Sequence, residues 1–103
     1  MIINFKKEDD INHLLSQHDK IIIDIYASWC GPCKMLAPQL EEFAKGHNDW
    51  TIIKVDSDAF NDIASMFNVQ AVPTMVIAIK GKPVETIVGF KPLVEIERIT
   101  SKY

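Results

Sequence analysis

Ile21-Ile22-Ile23-Asp24-Ile25-Tyr26-Ala27-Ser28-Trp29-Cys30-Gly31-Pro32-Cys33-Lys34 runs from an apolar segment into the only two cysteines of the chain. Seven residues from Ile21 to Ala27, apolar on both faces, predict a central strand covered on each side. From Lys34 to Lys45 the apolar positions Leu36, Leu40, Phe43 and Ala44 recur at three and four, which predicts an amphipathic helix. The cysteine pair therefore falls on a strand-to-helix turn, with Cys30 near the helix N-terminus and Cys33 about one turn inside. Asp24 breaks the strand. It shares a face with Ile22 and Tyr26, and periodicity alone leaves open whether it is buried or reaches water from the strand end.

Working outward, Ile2 to Phe5 reads as a short strand and Glu8 to Gln17 as a helix with Ile11, Leu14 and Leu15 inward and Glu8, Asp9 and Asp10 in its first turn. Pro38 should kink the helix after the cysteines without ending it, and Gly46 supplies its stop. Thr51 to Asp56 predicts a strand, and Ser57 or Asp58 caps a short helix over Ala59 to Phe67. Thr74 to Ile79 and Val84 to Val88, joined through Lys80-Gly81-Lys82-Pro83, predict an antiparallel hairpin. Pro92 opens a terminal helix with Leu93, Ile96 and Ile99 inward. The sum is an α/β fold with a mixed sheet of about five strands and helices on both faces.

Composition sets limits. A chain of 103 residues, 48% hydrophobic and 24% charged, has room for one core and is expected to form a single domain over residues 1–103. A formal net charge of -3 gives no basic face for nucleic acid. The first ten residues lack the pattern of a secretory signal, and no apolar run is long enough for a membrane, so an intracellular, cytoplasmic protein is expected. His13, His18 and His47 have no second ligand at metal spacing and read as solvated surface.

Two cysteines around a helix's first turn have Cα atoms about 5 Å apart, within disulfide range. The loop they close is short and adds little to stability in the chain-entropy account, which favours a redox use over a structural one. Cys30 is the expected nucleophile, because the helix start favours its thiolate, and the less accessible Cys33 would resolve the mixed disulfide. Gly31 leaves an approach for the substrate, and Pro32 stiffens the first turn at no cost in hydrogen bonds. The competing reading, half of a zinc site, lacks two further ligands unless a dimer shares one metal; no metal is expected.

At Trp29-Cys30-Gly31-Pro32-Cys33-Lys34 the chain resembles the thioredoxin family, and the resemblance runs nearly end to end. It implies the thioredoxin fold, a central mixed sheet flanked by four helices. It further implies that Asp24 is a buried proton relay and Lys54 its partner, both grouped with Cys30 and Cys33 as catalytic residues. Val72-Pro73-Thr74 resembles the loop whose proline is cis and faces the cysteines, and Gly89 the glycine of the substrate rim. Trp29, Gly31, Pro32, Val72, Pro73 and Gly89 would then bind substrate, although by sequence alone Trp29 could equally be core.

Two positions depart from the family. Tyr26 stands where a tryptophan is common, which predicts altered packing or partner contacts with the thiol chemistry untouched, and Trp50 reads as local packing. The implied function is a monomeric protein-disulfide reductase acting on disulfide-containing client proteins. It would need no cofactor of its own, being recharged by a thioredoxin reductase that carries NADPH and a flavin. A thiol oxidase or isomerase of the same fold, and a non-enzymatic partner subunit, are the rival readings.

Overall fold

The computed structural model describes residues 1–103. In chain order it forms β1 (Ile2–Asn4), α1 (Ile11–Gln17), β2 (Lys20–Tyr26), α2 (Gly31–Gly46), β3 (Thr51–Asp56), α3 (Asn61–Met66), β4 (Thr74–Ile79), β5 (Lys82–Val88) and α4 (Leu93–Thr100). The sheet order is β1-β3-β2-β4-β5, with the first three strands parallel and β4 and β5 each antiparallel to its neighbour. The expected five strands and four helices are all present, and β2 lies at the centre.

Alternation along β2 explains the layering. Ile21, Ile23 and Ile25 pack with Ile11 and Leu15 of α1 and Ile63 and Ala64 of α3, while Ile22 packs with Leu36, Leu40 and Phe43 of α2 and Ile96 and Ile99 of α4. An isoleucine-rich strand thus supplies both cores, and its fixed position carries the cysteine turn at its C-terminal end. Pro38 lies inside α2, which continues to Gly46. Trp50 is buried against the edge of Phe43, as local packing requires. His47 is not simply solvated: its ring stacks on Phe43 at 4.2 Å between centroids, and its Nε2 lies 2.9 Å from Glu97 Oε2.

Helix boundaries differ from the sequence expectation where side chains have alternative uses. α1 begins at Ile11, three residues after Glu8, because Asp10 is its cap: the Asp10 carboxylate accepts the N–H groups of Asn12 at 2.9 Å and His13 at 3.3 Å. Asp9 accepts the Lys6 N–H, so the three acids belong to the entering turn and not to the helix. Asp10→Ala should cost about 1 kcal/mol of stability, read from urea denaturation midpoints. α3 begins at Asn61 with Phe60 at the cap position and no side-chain cap, so neither Ser57 nor Asp58 serves there. The hairpin turn is tighter than expected. Lys80 and Gly81 alone form it, both at positive φ, and β5 starts at Lys82. α4 starts at Leu93, whose N–H donates to Gln39 Oε1 at 2.8 Å, leaving Pro92 just outside.

Candidate active site

β2 ends at Tyr26, and Cys30 caps α2 from its extended backbone. The Cys33 N–H donates to Cys30 Sγ at 3.2 Å, and the Lys34 N–H donates to the Cys30 carbonyl at 3.2 Å. Cys30 and Cys33 are joined as a disulfide with Cα atoms 5.3 Å apart. Their exposures are 4% and 6%, so the expectation that Cys33 is the less accessible is not met. What separates them is the helix start: only the Cys30 sulfur accepts a main-chain N–H there, where the dipole favours negative charge. Gly31 and Pro32 form the exposed first helical residues, and a Cβ at Gly31 would meet nothing within 4 Å.

Trp29 is 70% exposed, which removes the core alternative left open by sequence. Its indole N–H donates to Asp58 Oδ2 at 2.9 Å. Asp58 is thereby part of the site, a role the sequence reading missed because the carboxylate looked like a helix cap. The Val72–Pro73 peptide is cis, and the Pro73 carbonyl accepts the Gly89 N–H at 2.9 Å. Gly89 has φ +94°, a conformation that disfavours any side chain, so glycine is required there for the backbone to meet Pro73. Val72 and Tyr26 pack against the cluster of Ala27, Cys30 and Cys33. Trp29, Ser57, Val69 and Val72 help to line an open groove of about 240 Å³ beside the pair.

Asp24 lies beneath this surface, 2% exposed, opposite Lys54 on β3 and Met75 on β4. Its Oδ1 has no hydrogen-bond partner. Burial pushes the carboxyl up to about 6, against the opposing pull of the Lys54 charge. Lys54 is therefore Asp24's neighbour and acts on it through space, but the two form no ion pair. The lysine Nζ instead stands 5.5 Å from the centroid of the Tyr26 ring.

A cysteine pair that closes within one helical turn, beside an apolar groove and at the end of a strand that carries a buried carboxyl, defines a protein of dithiol–disulfide exchange. The sequence profile described as Thioredoxin matches residues 2–102. A thioredoxin of Mycoplasmoides gallisepticum is 40% identical over 90 residues, covering 87% of this chain and 90% of that protein. A mutant thioredoxin of Halobacterium salinarum NRC-1 superposes with TM-score 0.91 at 31% identity, over 99% of this chain and 89% of that one. A bifunctional thioredoxin reductase/thioredoxin of Mycobacterium leprae is 44% identical over 79 residues, which is 76% of this chain and 17% of that longer protein. The chain belongs to the thioredoxin family. It is a thiol-disulfide oxidoreductase that reduces protein disulfides through Cys30 and Cys33, with recharging by thioredoxin reductase as is standard for the family.

Proposed function

We propose that the two thiols have separate tasks and that the surrounding residues serve them. The Cys30 thiolate attacks one sulfur of a client disulfide, that S–S bond breaks, and the departing sulfur takes a proton. Cys33 then gives its proton to the Asp24 carboxylate and attacks the Cys30 sulfur, which releases the second client thiolate and forms the Cys30–Cys33 disulfide. The Cys33 N–H donated to Cys30 Sγ carries this assignment, since it marks the sulfur that the helix start stabilises as an anion. Lys54 modulates Asp24 by its charge.

Trp29, Gly31, Pro32 and Val72 form the face that receives an extended client segment, and Pro73 and Gly89 hold the backbone opposite the pair. Residues 1–103 act as one domain and as a monomer, with both cysteines used within the chain. A reducing compartment suits a reversibly closed pair, and the cytoplasm is its proposed location. No helix is long and apolar enough to cross a membrane. The joining of reductase and thioredoxin in the Mycobacterium leprae relative supports a thioredoxin reductase as the electron donor.

The test is a coupled assay with NADPH, a thioredoxin reductase and a disulfide-containing protein. NADPH consumption should depend on both the chain and the client. Consumption at the level of the reductase alone would sink the proposal.

A further inference from the structure

Ile22, Asp24 and Tyr26 occupy one face of β2, and their register partners Ile52, Lys54 and Asp56 lie opposite on β3. Lys54 is directly across from Asp24, yet its ammonium lies over the ring of Tyr26, one pair further along. The Asp24 carboxylate meanwhile keeps an oxygen without a hydrogen bond. A charged hydrogen bond to a buried acceptor generally gains more than a cation over an aromatic face. Were the carboxylate within easy reach, the lysine would take it. Its position over the ring therefore reflects limited reach, and the competitor that the ring defeats is water.

We propose that Tyr26 is a positioning residue for the exchange reaction, its ring anchoring the Lys54 ammonium within the field of Asp24 but short of an ion pair. The inference rests on the reading of Asp24 as proton acceptor. A direct ion pair would leave Asp24 too weak a base for Cys33, and a lysine released to water would leave a larger share of the carboxyl protonated, and so unable to accept the proton, at neutral pH. The lysine's reach bars the first extreme, and the ring bars the second. Tyr26 also packs against the cysteine cluster, which places its ring between the lysine and the site it serves in this proposal. The other ionisable groups at this face are Asp56, opposite Tyr26, and the two cysteines, while β4 contributes the uncharged Met75. The Tyr26 hydroxyl is itself held up by burial, then by Asp56 and Asp24, and remains protonated throughout the range of the test.

The test is an NMR titration of the Asp24 carboxyl carbon between pH 4 and 9 with the disulfide closed. It observes the carboxyl itself, so its failure is separable from a failure of turnover. In Tyr26→Leu the midpoint should rise by about one unit, a tenfold weaker acid, and in Tyr26→Phe, which keeps the ring face, it should stay within about 0.3 of the parent. Lys54→Gln should raise it as well, and Tyr26→Leu added to Lys54→Gln should move it no further. A fall or no change in Tyr26→Leu would overturn the proposal, as would an undiminished rise in the Lys54→Gln background, which would make the ring's effect one of burial. The unmutated protein offers an independent check should a variant not fold. Its Lys54 Hε protons should be displaced upfield by the ring current, and ordinary lysine shifts there would refute the anchoring.

Discussion

Cys30→Ser is expected to reduce turnover in the NADPH-coupled assay by at least about a thousandfold, because a serine hydroxyl is not ionised at neutral pH and has no leaving sulfur to offer. Cys33→Ser should fail differently. Cys30 still attacks the client, but nothing breaks the resulting bond, so each chain accumulates one client as a mixed disulfide. Mass spectrometry should find that adduct, and dithiothreitol should release it. Release of fully reduced client, with both of its sulfurs free, from the Cys33 variant would contradict the resolving role. The contrast cannot be inferred from exposure, since the two cysteines are almost equally covered. It follows from their order at the start of α2, where Cys30 holds the cap position and Cys33 donates its N–H to it.

Asp24→Asn should slow reduction and also make the protein more stable, and the stability gain should depend on pH. The carboxyl is raised from 3.8 to about 6 on folding, chiefly by burial. A raised acid binds its proton more tightly in the folded state, so its contribution is present below about 4 and is lost as pH rises through about 6. At about 1.4 kcal/mol per unit, a rise of about two units corresponds to about 3 kcal/mol above that range. Urea denaturation should therefore show Asp24→Asn more stable than the parent by about 3 kcal/mol at pH 8 and nearly equal to it at pH 4. Equal curves at pH 8 would mean that the carboxylate is not paying a burial penalty. The rate of client reduction in the parent should fall as pH drops below about 6, and the variant should lose that limb. Stability and activity thus move in opposite directions at one buried residue, as expected where a fold retains an uncomfortable group for its chemistry.

Sequence was most informative where a single pattern admitted a single use. The double-faced isoleucine run of β2 could hardly be anything but a covered strand, and the cysteines at its end fixed the site. It was least informative where one side chain had two plausible partners. Asp58 suits a helix cap by local pattern, but the structure gives its carboxylate to the indole of Trp29, which stands 29 positions earlier. That same hydrogen bond helps keep Trp29 on the surface, the alternative that sequence left undecided. Lys54 was legible as Asp24's neighbour from the resemblance, but not its placement over Tyr26, since a cross-strand diagonal depends on register. Asp10, read from sequence as a first-turn acid, is instead the cap, which its hydrogen bonds to Asn12 and His13 show.

The outer strands of the sheet have a bearing on the protein's behaviour at high concentration. β1 has only three residues, and β5 carries Pro83 beside a register shift opposite Ile77 and Ala78. A short strand offers a newcomer few main-chain groups, and a proline with a displaced register breaks the continuous ladder that lateral stacking into fibrils requires. A redox carrier must meet many partners through one sticky face without joining copies of itself. Here the edges that would template such assembly are the parts least able to do so.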